Sequence, residues 1–255
     1  MRVLVVLPTF NEAATIETVL DRVRKALPDA SVLVVDDNSP DGTAKIAAEI
    51  CEKYGNVDVL SRQGKLGLGS AYRDGFRRGL ERGYEALVEM DSDLSHDPGD
   101  IPTLVATLGE GYEVCIGSRY VPGGSIPNWS LPRRLLSRGG NVYADLLLGL
   151  HVRDSTAGFR AYSASVLRRI DLGSVRADSY GFQIEMTYRA IKVGARVREV
   201  PIRFVDRELG TSKMSIYTIV EALCLVTWWG VERAVNGLQG GYRTARSLIR
   251  RPSSS

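Results

Sequence analysis

The chain has 255 residues, 44% of them hydrophobic, which is enough to bury a substantial core as one large domain or as one domain with an appendage. A formal net charge of only +3 argues against a dedicated nucleic-acid binder. Three cysteines (Cys51, Cys115 and Cys224), odd in number and far apart, exclude a disulfide framework or a CxxC metal pair, and read as small buried hydrophobes in a reducing compartment.

The first half alternates strand and helix patterns. Arg2 to Leu7 is a continuous apolar run, as for a strand buried on both faces, and it carries no signal-peptide pattern. A helix pattern follows from Glu12 to Leu27, with Ile16, Val19, Leu20 and Val23 on one face. Ser31 to Val35 is the next strand and runs into Asp36 and Asp37. Helix Thr43–Tyr54 and strand Val57–Leu60 come next. A glycine-rich loop over Gln63 to Ser70 precedes helix Ala71–Arg82 and strand Ala86–Met90. Ile101 to Leu108 reads as helix and Glu113 to Gly117 as strand. This rhythm predicts an α/β fold with a mostly parallel sheet and helices on both faces. Ligands of such sheets bind beyond the carboxyl ends of the strands.

The second half is less regular. Pro122 to Pro132 is a Gly- and Pro-rich loop, Arg133–Leu150 and Tyr180–Val193 read as helices, and Arg198–Val205 as a strand. Ser215 to Ala234 reads as a helix containing the apolar run Ala222–Val231, which is shorter than the roughly 20 residues that span a bilayer. Arg243, Arg246, Arg250 and Arg251 form a basic end, suited to anionic headgroups or simply solvated, and residues 252–255 are expected to be disordered.

The central motif is Asp91-Ser92-Asp93, just past a buried strand. Alternate carboxylates there can reach one hard cation, Mg²⁺ or Mn²⁺, shared with substrate phosphates. The spacing alone equally describes a solvated acidic turn. Asp36-Asp37 and Pro8-Thr9-Phe10-Asn11-Glu12 end two further strands, where carboxylates can accept from a ribose or a base; helix capping and turn chemistry account for the same residues. Arg133 and Ser137 are one helical turn apart, and arginine forks match phosphate oxygens. His96 and His151 form no triad and read as structural; Lys65 lies in the glycine-rich loop but without Walker spacing.

These segments together resemble the family-two glycosyltransferases with the nucleotide-sugar fold known as GT-A, and among them the dolichol-phosphate and polyprenol-phosphate mannose synthases. The resemblance runs through Pro8–Glu12, Val35–Gly42, Gly64–Gly69, Met90–Pro98, Gly117–Gly124, Asn128-Trp129, Arg133–Gly139, Ser155–Arg160 and Gly210–Lys213, about residues 1 to 215. It implies GDP-mannose as donor and a polyprenyl or dolichyl phosphate as acceptor, with inversion at the sugar. It places Pro8, Phe10, Glu12, Val35 and Asp37 at the guanosine, and Asp91, Ser92 and Asp93 at the Mg²⁺ or Mn²⁺ ion and diphosphate. Ser95 stands where relatives have a glutamine metal ligand, and Phe10 where a tyrosine is common. Arg119, Arg133 and Ser137 become the acceptor-phosphate set, with Arg138 secondary. Arg207 and Lys213 fall in a loop that closes over the donor diphosphate, and Lys65 can reach the nucleotide.

The expected organisation is a catalytic GT-A domain over 1–214, an amphipathic, membrane-interfacial segment over 215–242, and a basic tail over 243–255. The expected place is the cytoplasmic face of a membrane, peripherally bound, with room for a membrane-protein partner. Two rivals stay open: transfer of glucose or another sugar to the same lipid, and a non-enzymatic nucleotide- or metal-binding module.

Overall fold

The computed structural model describes residues 1–178, 180–206 and 216–249, with side chains in the last helix described from 219 to 235. Seven strands form one sheet: β1 Val3–Thr9, β2 Ser31–Asp36, β3 Val57–Ser61, β4 Ala86–Glu89, β5 Val114–Ser118, β6 Arg160–Ser163 and β7 Val197–Pro201, in the order β3-β2-β1-β4-β6-β5-β7. All neighbours are parallel except β6, which is antiparallel to both β4 and β5.

Strict alternation along β1 sets the layers. Val3, Val5 and Leu7 point into a core with Leu20, Ile50 and Ile101, from α1 (Ile16–Ala26), α2 (Thr43–Tyr54) and α4 (Ile101–Gly109). Leu4 and Val6 point the other way, into a core with Phe76 of α3 (Leu68–Glu81), Ala144 of α5 (Leu131–Leu148), Val166 of α6 (Ala164–Arg169) and Phe182 of α7 (Tyr180–Lys192). Both faces of the sheet are covered, which is why the runs 3–7, 32–35 and 86–88 are unbroken and apolar rather than alternating. The last helix, α8 (Ile216–Ile249), packs on α5 and α7.

Several sequence expectations need correction. Strand β6 has no counterpart among the elements expected from the sequence; it is only four residues long and begins with a charged side chain. Helix α3 starts at Leu68, three residues early, since the end of the glycine-rich segment supplies its first turn. Strand β7 stops at Pro201, and only Arg203 bridges onward, to Ser125. Helix α8 continues through residues 243–249, which were assigned to a tail. Of the three cysteines only Cys115 is buried; Cys51 is half-buried, and Cys224 lies exposed on α8, whose apolar run turns Val226 to the core but not this residue. Arg207, Lys213, Ser215, Arg250, Arg251 and residues 252–255 fall outside the described residues, as do the side chains of Arg243 and Arg246.

Helix α3 approaches β1 closely at Gly75, where an added Cβ would stand 2.4 Å from Val6 Cγ1. Alanine at a helix interior gains roughly 1 kcal/mol in propensity, whereas overpacking a rigid core costs about 1–3 kcal/mol. Val6 is fully buried on an inner strand and cannot yield. Gly75→Ala is therefore expected to lose about 1 kcal/mol, lowering Tm by about 2–4 °C; an unchanged or higher Tm would show that α3 slides off β1 at no cost.

Candidate active site

Strand order reverses at β1, with β2 on one side and β4 on the other. The crevice beyond the carboxyl ends of such a pair is where open α/β sheets bind ligands. A cleft of about 550 Å³ opens there, and it brings together Pro8, Phe10, Glu12, Asp37, Lys65, Asp91, Ser92, Asp93, Ser95, Arg119 and Arg133 of the residues singled out in the sequence.

The acidic residues are tied to β1 by hydrogen bonds. Ser92 Oγ donates to the Pro8 carbonyl at 2.8 Å, and Thr15 Oγ1 donates to the Ser92 carbonyl at 2.8 Å. Asp93 Oδ1 accepts from the Ser95 amide at 3.0 Å and from its hydroxyl at 2.5 Å, so Asp93 and Ser95 form one compact oxygen cluster. Leu94 between them has φ +63°. Tyr72, buried in the core, donates its hydroxyl to Asp91 Oδ1 at 3.2 Å. Among the described residues no group of three or more His, Cys, Asp or Glu side chains converges to hold a metal. The donor set at the cleft is thus two carboxylates with one hydroxyl beside them. That fits a hard cation completed by substrate phosphates and water, and not a closed protein cage.

Asp36 and Asp37 build the flanking loops. Asp36 accepts from Thr9 Oγ1 at 2.8 Å and from Ser39 Oγ at 2.6 Å, which locks the turn after β2 against β1. Asn11 and Asn38 take left-handed φ angles of +60° and +58°, conformations their short amides tolerate. Asp37 pairs with buried Arg62 at 2.7 Å and accepts from the amides of Leu66 and Gly67, so it fixes the glycine-rich loop. That loop carries Lys65, whose ammonium sits over the Phe10 ring, 4.4 Å from its centroid. Val35 does not reach the cleft: its side chain is fully buried in the core and its backbone is paired in the sheet.

The arginines are pre-paired. Arg119 is buried, and its guanidinium meets Asp154 at 2.7 and 2.6 Å and donates to Thr156 Oγ1 at 2.8 Å. It also lies between the rings of Trp129 and Phe204, 5.4 and 5.5 Å from their centroids. Arg133, in the first turn of α5, pairs with Asp206 at 2.9 Å and stacks on Trp129 at 4.0 Å, while Trp129 Nε1 donates to the same Asp206. Ser137 is displaced from this set. It accepts from Tyr120 Oη at 2.7 Å and does not line the cleft, and Arg138 stacks on that same tyrosine. Helical spacing put Arg133 and Ser137 on one face but could not show Tyr120 covering the second.

The floor holds residues that sequence reasoning missed. Thr156, Ala157, Gly158 and Gln183 line it, and Glu89 and Arg160 lie directly beneath, both with no exposed surface. Complete burial pushes the Glu89 carboxyl up to about 8, against the pull of Arg160 at 3.5 Å and with a further push from Asp91. His96 packs between Phe159 and Phe204, in keeping with a structural role.

A family model for "Glycosyl transferase family 2" matches residues 4–171. The undecaprenyl-phosphate mannosyltransferase of Micrococcus luteus is 48% identical over 239 residues, 94% of this chain and 98% of that protein. The polyprenol monophosphomannose synthase of Mycolicibacterium smegmatis is 46% identical over 243 residues, 95% and 92% of the two chains. The fold is also that of glucosyl-3-phosphoglycerate synthase from Mycobacterium tuberculosis, solved with phosphoglyceric acid (TM-score 0.62, 23% identity, 91% of this chain and 79% of that one) and with Mn²⁺, UDP-glucose and glycerol 3-phosphate (TM-score 0.59, 24% identity, 89% and 77%). The mostly parallel sheet with a cleft at the β1/β4 switch point is the GT-A arrangement that the motifs implied, and the chain belongs to glycosyl transferase family 2.

Proposed function

We propose that the protein transfers mannose from GDP-mannose to a polyprenyl monophosphate, inverting the anomeric centre and releasing GDP. The observation that carries this is one cleft lined both by two carboxylates, Asp91 and Asp93, and by two paired arginines, Arg119 and Arg133, in a chain 46–48% identical to two polyprenyl-phosphate mannosyltransferases. A nucleotide sugar needs the first pair and a lipid phosphate the second.

Phe10, Glu12, Asp37 and Lys65 surround the nucleotide in this reading. Asp91 and Asp93, with Ser95 beside them, would hold a Mg²⁺ or Mn²⁺ ion; when bound, it supplies Lewis-acid neutralisation of the leaving diphosphate. An acceptor phosphate oxygen attacks the anomeric carbon, the bond from that carbon to the diphosphate breaks, and GDP leaves. A phosphate monoester with a second pKa near ~6 is mostly dianionic at pH 7, so the reaction needs no protein base. The site's contribution is positioning and charge complementarity. Arg207 and Lys213 complete the donor side in this proposal, as the family resemblance implies.

Two substitutions separate the pairs. Asp93→Asn keeps an oxygen for the Ser95 bonds and loses the charge. We expect turnover to fall by about 10²–10³-fold with stability within about 0.5 kcal/mol, read by GDP release and thermal melting together; near-normal turnover at saturating Mg²⁺ overturns the metal assignment. Arg133→Ala is expected to raise the KM for the lipid phosphate by about 10–100-fold, the loss of one charge-assisted contact, without changing the calorimetric affinity for GDP-mannose. A fall in donor affinity alone would mean the two pairs are exchanged.

The acceptor's phosphate lies at a membrane surface, and we place the protein there, peripherally on the cytoplasmic leaflet. Among the described residues no helix is long and apolar enough to cross a membrane. Helix α8 exposes Val220, Leu223, Trp228, Val231 and Val235, whereas Trp229 stacks on Tyr188 with centroids 6.4 Å apart. The neighbouring tryptophans thus do different jobs, and Trp228, 70% exposed, is the one free to enter an interface. In co-sedimentation with phosphatidylglycerol vesicles, Trp228→Ala is expected to weaken binding several-fold with Tm unchanged. Trp229→Ala should lower Tm instead, and equal vesicle binding by Trp228→Ala and wild type rules out this helix as the contact.

A further inference from the structure

Gln183 is 3% exposed, lines the floor of the cleft, and has no hydrogen-bond partner for either amide atom among the described residues. Leaving a buried polar group unsatisfied is costly, and such groups in folded proteins call for an explanation. The fold also holds this residue firmly. Its backbone carbonyl accepts from Arg160 Nη1 at 2.9 Å and from Thr187 Oγ1 at 2.8 Å. The preceding Phe182 stacks on Tyr72, whose hydroxyl reaches Asp91. The backbone that carries the amide is therefore fixed in place, while the amide itself is unused.

A second observation points to what it is for. A Cβ built on Gly158 would stand 3.6 Å from Gln183 Nε2 and 3.5 Å from Asp91 Oδ2. The missing side chain of Gly158 keeps open a gap between the amide and the carboxylate. A group entering that gap meets both a donor and an acceptor from the amide and an acceptor from the carboxylate. A hydroxyl, itself donor and acceptor, satisfies that combination; a methylene does not.

We propose that Gln183 is a specificity-determining residue that hydrogen-bonds a hydroxyl of the donor's hexose, in the gap that Gly158 keeps open beside Asp91. This rests on the glycosyl-transfer reading and adds to it the part of the cleft that reads the sugar. A site built around a buried amide rejects a sugar lacking the matching hydroxyl, because the amide is then left unpaired.

The test compares a nucleotide sugar with its nucleoside diphosphate by calorimetry on the full chain, for wild type, Gln183→Leu and Gly158→Ala. The wild type is first assayed with a donor panel, and whichever nucleotide sugar it turns over is used, so that a wrong choice of GDP-mannose is revealed separately and leaves this comparison intact. Gly158→Ala adds a methyl at ordinary contact distance and fills the gap, so it keeps the fold whether or not Gln183→Leu does. Both variants are expected to bind the nucleotide sugar about tenfold more weakly or worse, while nucleoside diphosphate affinity stays within twofold. In a series of monodeoxy sugars, the wild type should discriminate strongly at one position, and Gln183→Leu should lose that discrimination. If Gly158→Ala leaves nucleotide-sugar affinity and deoxy-sugar discrimination unchanged, or weakens the diphosphate equally, Gln183 does not read the sugar and the inference is overturned.

Discussion

The site depends on one buried cation. Arg160 has no exposed surface, yet its guanidinium donates from Nε to the Ala157 carbonyl at 2.7 Å, from Nη2 to the Ser155 carbonyl at 2.6 Å, and from Nη1 to the Gln183 carbonyl at 2.9 Å and the Thr187 hydroxyl at 2.7 Å. Burying an unpaired guanidinium costs several kcal/mol, so those acceptors and the Glu89 carboxyl at 3.5 Å are required by its presence. The cation sits at the start of β6, between β4 and the first turns of α7. It thereby ties together β4, which leads to Asp91, the loop carrying Gly158, and the helix carrying Gln183. Three separate segments of sequence become one rigid floor.

On that floor the cleft is electrostatically divided. Carboxylates gather where β1, β2 and β4 end. Asp36 and Asp37 build the loops that flank the cleft, and Asp91 and Asp93 line it beside them. Arg119 and Arg133 already hold Asp154 and Asp206. The two pairs are not equivalent. Asp154 is fully buried and binds Arg119 through three bonds, so that arginine's geometry is fixed before any acceptor arrives. The Arg133–Asp206 pair is about one-third exposed, where solvent screening makes such pairs worth little. A phosphate dianion can compete for Arg133 at small cost, and Asp206 stands directly before the loop that the family resemblance assigns to donor closure.

The parallel half of the fold was legible because both faces of its strands are covered, which leaves unbroken apolar runs in the sequence. Strand β6 was not, for the reason that makes it important. It opens with Arg160, and a charged residue at the middle of a sheet reads as loop until its acceptors are seen. Asp91, Asp93 and the arginines were legible as residue types at strand and helix ends. Their partners, Asp154 for Arg119 and Asp206 for Arg133, are 35 and 73 residues away in sequence, and no local pattern pairs them. Gln183 escaped because within a helical pattern an amide looks like any polar position; only its burial and lack of partner distinguish it. Val35 was placed by family register, and Ser137 by that register together with helical spacing; their side chains are occupied by core packing and by Tyr120.

Helix α5 joins the cleft to the surface. Arg133 belongs to its first turn, facing Trp129 and Asp206, while Leu131, Leu135, Val142 and Leu146 on the same helix are exposed. At about 100° per residue those four positions fall within roughly 60° of one another, a single apolar stripe. Its inner side packs Ala144 and Leu148 into the core, and its neighbour α8 presents Trp228 and Val231 to solvent beside it. Singly exposed leucines need no explanation; a stripe on one helix does. In the proposed reaction the acceptor has an apolar chain that stays in the bilayer and a phosphate that must reach Arg133. A helix that is apolar on its outer side and carries Arg133, the proposed phosphate ligand, at its start suits both demands. The distance the phosphate must travel from the headgroup layer is then set by α5 itself.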